Sequence, residues 1–502
     1  MQTSQMSSAR PYRLEDWQGG NQALKEEFDY PITEIDGEIP VGLQGTLFRN
    51  IPAMLDVNGQ EVHHPFDADG MIGKITLANQ QAYFQNRYVR TPGYCEEQAQ
   101  GKITYRGVFG TEKSGGWWDN AFDLRLKNVA NTNVYYWGGK LLALWEASHP
   151  FRLDPETLAT LGPETLDGAI AEGTPFAAHP LIEPGQNGRG PRYVTFGIQT
   201  FGVITKLRIY ELNAAAQVVK HHDHWLPGFA FMHDFTITPH YCIFFQNPVS
   251  LNPLPYLLGR RGPAECMTFQ KQEQTKIWLI SRHDPQQVQK VETPSGFVFH
   301  HANAFEDGGE VVIDSVAYRD FPSINHQLSF KEVDFDEVPA SQLWRYRINL
   351  KTGVVNRQQL ENRACDFPYV NPARLGQQHR WIYLAATRQP TGNAPNQAIL
   401  KINPDTQAQQ VWSAAPTDFV GEPVFVARPG AKREDDGWLL VVVYDADRDR
   451  SKLVILAARD LEAGPVATLY LKHHLPYGLH GSFTPEVWLT PTAPAGAAHH
   501  AV

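Results

Sequence analysis

Nineteen histidines are spread through the 502 residues of the chain, and imidazole is the side chain best suited to hold a metal ion or carry a proton near neutral pH. Four of them share a setting, beside apolar or small residues near a strand end. They are His179 in FAAHPLIEP, His233 in FMHDFTITPHY, His300 in FVFHHANAFEDG and His480 in LPYGLHGSF, at separations of 54, 67 and 180 residues. A buried histidine is ordinarily a core residue satisfied by hydrogen bonds, so the setting alone leaves ligand and core readings open. The rest have plainer settings. His221, His222 and His224 in HHDH read as a solvated turn, because neighbours on a strand would point to opposite faces. His63–His64 and His473–His474 read the same way, and His499 and His500 sit in the tail.

An all-imidazole site restricts the chemistry. Neutral imidazoles suit zinc, copper, iron and nickel, and softness alone does not choose among them. Four such ligands leave two positions of an octahedral metal open, which suits dioxygen at iron(II). A ligand histidine usually donates its second N–H to a carboxylate that fixes its orientation. Three acidic residues in apolar runs could serve: Glu146 in LLALWEASHP, Asp366 in ACDFPYVNP and Glu422 in VGEPVFVARPG. A buried salt bridge is the alternative reading of each.

Residues so far apart meet only if a repeated framework brings them together. Helical periodicity is nearly absent, with the DPET stretch over Ser148–Leu161 and Leu14–Phe28 the best short candidates, and short β-branched and aromatic runs alternate with Gly, Pro, Asn and Asp turns. Seven strand–turn–strand units begin at Met71, His149, Leu207, Ile277, Leu343, Ala398 and Leu453. Intervals of roughly 55 to 80 residues suit four-stranded propeller blades, with a sandwich or barrel array as the alternative. The histidine separations are then about one, one and three blades, and the innermost strands of a propeller all face one axis. We expect an all-β chain with a single domain over residues 1–488 and a disordered tail over 489–502.

Composition bounds the rest. The net charge of −10 argues against nucleic acid. Cys95, Cys242, Cys266 and Cys365 lie far apart, which fits a reducing, cytoplasmic compartment. No signal peptide and no run of 18 apolar residues is present.

From about Tyr12 to Phe483 the chain resembles the carotenoid cleavage oxygenase family. The resemblance rests on GTLFRNIPA, HHPFDADGMI, RGVFG, LRLKNVANTNV, LLALWE, HDFTITPHY, FVFHHANAFED, DDGWLLVVVYD and LPYGLHGSF taken together. It implies a seven-bladed β-propeller with a metal on its axis, capped by loops and short helices. It implies iron(II) on His179, His233, His300 and His480, with Glu146, Asp366 and Glu422 behind them, and in FHHANA it selects His300 over His301. The implied reaction uses dioxygen to cleave the central 15,15′ double bond of an apocarotenoid, giving retinal or an analogue and a second aldehyde. Phe66, Phe109, Trp145, Phe231, Phe299 and Tyr318 match positions that line a polyene tunnel in relatives, and Thr132 matches one whose methyl sits near an open metal position.

Three positions depart from the pattern. Asp366 replaces Glu, so its link to His300 is expected to need water or a shifted backbone. Ile51 replaces the Gly of FRNGPA, where a β-branched residue tolerates positive φ poorly. Asn396 replaces a tunnel Leu and could admit a more polar substrate end. The loop Val249–Gly262 presents Leu251, Leu254, Pro255, Tyr256, Leu257 and Leu258 before Arg260 and Arg261, which reads as a peripheral membrane contact. No protein partner is evident. A stilbene-cleaving dioxygenase on the same scaffold is a rival reading, although no Lys after Asn131 in TNVYYWGGK can be set beside the metal. An apocarotenoid-binding or isomerising propeller without oxygen chemistry is another.

Overall fold

The computed structural model describes residues 12–185, 188–321 and 329–489. Its main strands form seven antiparallel sheets, five of four strands and two of five, that follow one another around a ring. We number them as blades in chain order. Blade 1 runs outward from Gly481–Thr484 through Gly45–Pro52, Gly70–Ala78 and Gln81–Tyr88 to Asp29–Ile32. The innermost strands of blades 2 to 7 are Asn133–Trp137, Leu181–Glu183, Thr236–Ile237, Phe297–Asp307, Cys365–Tyr369 and Asp418–Ala427. Several of these meet the inner strand of the next blade, which places them around the axis.

All seven strand–turn–strand units fall on the third and fourth strands of successive blades. They are recognisable because the third strand of each is covered on both faces, while the fourth keeps an exposed side. In blade 4, Ile277 and Leu279 face blade 5, while Ile280 faces blade 3. Each neighbouring pair of blades shares one such apolar cluster, and the ring closes through the cluster joining Trp438, Leu440 and Leu453 of blade 7 to Phe84, Tyr30 and Leu47 of blade 1. A side chain of this kind contributes about 1.5–3 kcal/mol when fully buried.

Turn chemistry fixes the hairpins. Asn79 and Gln80 join the third and fourth strands of blade 1 with φ of 51° and 61°, the paired positive values of a type I′ turn. Gly308 and Gly309, at 57° and 88°, close the hairpin that begins with the His300 strand.

The ring is clasped from both ends of the described chain. Gly481–Thr484 pairs with Gly45–Pro52 in blade 1, and Ile35–Gly37 adds an outer strand to blade 7 beside Pro465–Tyr470. Helices are minor. The expected N-terminal helix spans only Leu14–Gly19, the Ser148–Leu161 candidate is instead the strands Phe151–Leu153 and Thr160–Pro163 around a turn, and Pro92–Gln100 is a helix that apolar periodicity did not signal. The HHDH turn is corrected to the outer strand of blade 3, Val218–Pro227, where His222 and His224 face inward and His221 faces solvent. His64 and His473 are also not solvated: His64 packs on Phe66 and Phe109, and His473 stacks on Phe28. Ile51 lies inside a strand and pairs with Met71, so no positive φ is asked of it. Apart from residue 489, the expected tail lies outside the described residues.

Candidate metal centre

His179, His233, His300 and His480 converge. One ring nitrogen from each lies within 4.8 Å of the others, and among the described residues no other group of three or more metal-binding side chains comes together. His179 and His233 lie two and three residues before the inner strands of blades 3 and 4, His480 immediately precedes that of blade 1, and His300 lies within that of blade 5. The spacing of one, one and three blades is therefore real. His300 sits where that strand bulges twice, between Val298 and His300 and between His301 and Asn303, so neighbouring side chains do not simply alternate. His301 turns away to hydrogen-bond Ser315 at 2.8 Å.

The other three blades supply the carboxylates. His233 Nδ1 lies 3.0 Å from Glu146 of blade 2, His300 Nδ1 2.7 Å from Asp366 of blade 6, and His480 Nδ1 2.8 Å from Glu422 of blade 7. With Nδ1 so engaged, each ring turns Nε2 toward the axis. Of the two routes expected for this shorter side chain, water or a shifted backbone, the structure has Asp366 reach His300 directly from an irregular strand. Its strand bulges between Asp366 and Tyr369, and Phe367 adopts a left-handed φ of 53°. The other Asp366 oxygen accepts from the Tyr318 hydroxyl at 3.3 Å. Glu422 is held hardest, by Arg49 and by the Gly481 N–H at 3.0 Å.

These surroundings set the charges. Burial, reinforced by the neighbouring imidazoles, holds His179 well below its ordinary pKa, and burial brings His480 to about 4 against the pull of Glu422. Burial also opposes a charge on His300, but Asp366 outweighs it and raises that pKa. For Glu422, burial is outweighed by Arg49 and His480, and for Glu146 and Asp366 by their own histidines, so all three carboxyls lie low. The donor set fits a metal ion. His300 Nε2 is buried with no hydrogen-bond partner, and His179 Nε2 stands 2.8 Å from His233 Nε2. Two nitrogens bound at right angles to one metal at 2.0–2.1 Å would be about 2.9 Å apart. A divalent cation together with Arg49 also balances the three carboxylates.

The aromatic positions are partly gathered here. Phe299 stacks on His233 at 4.2 Å, Tyr318 meets Asp366, and Thr132 accepts the His480 N–H through its carbonyl. Phe66 packs edge-on against Phe109 at 5.1 Å, and Trp145 and Phe66 line one small cavity. Phe231 stacks on Phe297 at 5.8 Å, and Phe297 continues to Phe299. Among the described residues no hydrogen bond or ring contact ties the Asn396 side chain to the histidines; its carbonyl accepts from Val420. Sequence reasoning missed Phe367, which packs on both His300 and His480, and Arg49. Phe367 adjoins Asp366 and Arg49 sits in the quoted GTLFRNIPA, but neither residue type marks a metal site.

The apolar surface also differs from expectation. Thr236–Ile237 starts beside His233 and Tyr241–Gln246 returns antiparallel to it, so the 249–262 loop emerges on the histidine face. Within the loop Leu254 is 57% exposed, whereas Tyr256, Leu257 and Leu258 are half-buried. Most of the exposed apolar area belongs to the segment packed against it, including Trp118 at 75% and Phe122 at 74%. The Phe122 N–H donates to the Leu257 carbonyl, and Arg106 bonds the carbonyls of Asp123, Tyr256 and Arg261.

The family described as RPE65, retinal pigment epithelial membrane protein, matches residues 21–485. The chain belongs to this family. The apocarotenoid-15,15′-oxygenase of Synechocystis sp. is 47% identical over 95% of this chain and 97% of its own length. The isoeugenol monooxygenase of Pseudomonas putida is 30% identical over 89% and 93%. The crystal structure of the cobalt-substituted Synechocystis apocarotenoid oxygenase superposes with a TM-score of 0.93 at 46% identity, covering 95% of this chain and 99% of that one. RPE65-family membership accounts for the seven blades.

Proposed function

We propose that the chain is an iron(II)- and dioxygen-dependent apocarotenoid oxygenase that cleaves the central 15,15′ double bond. The observation that carries this reading is the four-histidine cluster in a chain so similar, over its whole length, to the Synechocystis apocarotenoid-15,15′-oxygenase. His179, His233, His300 and His480 would hold ferrous iron, and Glu146, Asp366 and Glu422 would orient three of the rings. Bound iron would supply the activation of dioxygen. Phe66, Phe109, Trp145, Phe231, Phe299 and Tyr318 would hold the polyene, because flat rings pack well along a rigid conjugated chain. Thr132 would border the metal, and Asn396 would meet a more distant, polar part of the substrate. One carbon–carbon double bond is broken, dioxygen is reduced, and two aldehydes form, one of them retinal or an analogue. No side chain is required as a general base. The phenol chemistry of a stilbene-cleaving enzyme is disfavoured, since the lysine of TNVYYWGGK, Lys140, is engaged by Glu164 at 3.1 Å.

The seven blades act as one domain in this reading, which extends to residue 488. The exposed Trp118, Phe122 and Leu254, beside the exposed Arg260 and Arg261, support peripheral contact with a bilayer through the histidine face. The four free cysteines support a cytoplasmic location.

The test is incubation of the iron-loaded protein with an apocarotenal, with and without dioxygen, and identification of the products by mass. Retinal and a complementary dialdehyde, formed only with oxygen, are expected. An unchanged or merely isomerised polyene would overturn cleavage, and fragments of another size would overturn the 15,15′ assignment. His300→Ala is expected to lose both metal and turnover while keeping the β-sheet circular dichroism.

A further inference from the structure

Arg49 is buried where three parts of the ring meet. It lies on Gly45–Pro52 of blade 1 and is 5% exposed. One end of its guanidinium donates to Glu422 Oε2 of blade 7, and the other donates to the Leu479 carbonyl at 2.8 Å. Leu479 directly precedes His480, and Glu422 Oε1 holds His480 Nδ1 at 2.8 Å. Arg49 therefore grips both the backbone leading into one histidine and the carboxylate that orients its ring. Neither of the other two carboxylates that hold a clustered histidine has such a partner: Asp366 has the Tyr318 hydroxyl, and Glu146 Oε2 is buried without a hydrogen bond.

We propose that Arg49 is a positioning residue for the metal centre, setting His480 by holding Glu422 and the Leu479 carbonyl in one fixed relation. This rests on the reading of the four histidines as metal ligands. The planar guanidinium is what makes the double grip possible, because its donors are fixed relative to each other and reach two acceptors at once. A lysine offers a charge without that fork. Gly421 and Gly478 carry no side chain beside the Arg49 head and line a small cavity with it, so its two hydrogen bonds, rather than tight packing, hold its orientation.

The experiment compares wild type with Arg49→Lys and Arg49→Met, using cobalt(II) as the probe. Affinity is measured by competition with a chelator, and the ligand field is read from the visible spectrum. Both variants are expected to bind cobalt about 10- to 100-fold more weakly, with a shifted visible band, as for the loss of partners that orient ligands elsewhere. Arg49→Lys keeps the charge, so it reports even if Arg49→Met does not fold. Arg345→Met serves as the control, because it breaks a comparably buried pair with Asp314 that includes none of the four clustered histidines. It is expected to lower stability and leave the cobalt band unchanged. Glu422→Gln combined with Arg49→Lys is expected to cost less than the two single effects added together. Wild-type affinity and band in both Arg49 variants, or strict additivity with Glu422→Gln, would overturn the positioning role. Failure of the wild-type protein to bind cobalt would instead overturn the metal centre itself.

Discussion

Asp366 and Phe367 form a single device. The left-handed Phe367 bends the strand where Asp366 meets His300 and lays its ring over two of the four imidazoles. A left-handed residue with a large side chain costs energy, so the surrounding structure must hold it there. Asp366→Asn leaves the shape but removes the charge, and should weaken metal binding by about 10- to 100-fold in a chelator titration. Tyr318→Phe removes one hydrogen bond to Asp366, on the order of 1 kcal/mol, and should act in the same direction but more weakly. Tyr318→Phe weakening binding more than Asp366→Asn would contradict this order. The four histidines and three carboxylates stood out in apolar runs, but that setting left core and salt-bridge readings open, and the family resemblance was what assigned them. Phe367 did not stand out, because its φ comes from a bulge and a phenylalanine in a strand looks like core. For Asp366 the sequence left water and a shifted backbone both open, since strand bulging cannot be seen in side-chain length.

At the scale of elements, the outer hairpins were the legible part. Their third strands pack against two neighbours, and residues such as Ile277 to Ile280 are apolar throughout. The inner strands were harder to find. Leu181–Glu183 and Thr236–Ile237 are so short that only the adjacent histidines betray them. Leu279→Ala should cost about 2–5 kcal/mol in chemical denaturation, because the blade 4–blade 5 cluster cannot collapse around the gap. Buried ion pairs add an acid limit. Burial would raise the Asp314 pKa, but Arg345 and His379 outweigh it and bring it below the usual carboxylate value. The stability from this depressed pKa is full above about pH 4 and is lost as pH falls through the folded value. Asp314→Asn should therefore flatten the acid limb of a melting-temperature profile. The apolar segment on the histidine face makes a separate prediction. Trp118→Ser with Phe122→Ser should lower co-sedimentation with phospholipid vesicles while leaving cleavage of detergent-solubilised substrate intact. Unchanged sedimentation would remove the membrane reading.

For the whole molecule, every blade contributes either an imidazole or a carboxylate to the centre. Metal binding should therefore stabilise the ring as a unit. A ligand that binds only the folded state adds about 2.7 kcal/mol at one hundred times its dissociation constant, so iron or cobalt should raise the melting temperature. Hydrogen exchange should show the gain at the seam, where Gly481–Thr484 pairs with Gly45–Pro52. A gain confined to blades 3 to 5, with the seam unaffected, would mean that His480 contributes little. The number of blades was legible from repetition, but the order of closure was not, because no local pattern tells Gly481–Thr484 to pair with a strand more than four hundred residues earlier.

His480 follows His300 by 180 residues. At a synthesis rate of 5–20 residues per second, the nascent chain would carry three of its four histidines for roughly 10 to 40 s before the last one is made. During translation the chain is thus a partial chelator of any metal ion it meets, and a complete one exists only once the strand after His480 has found its place.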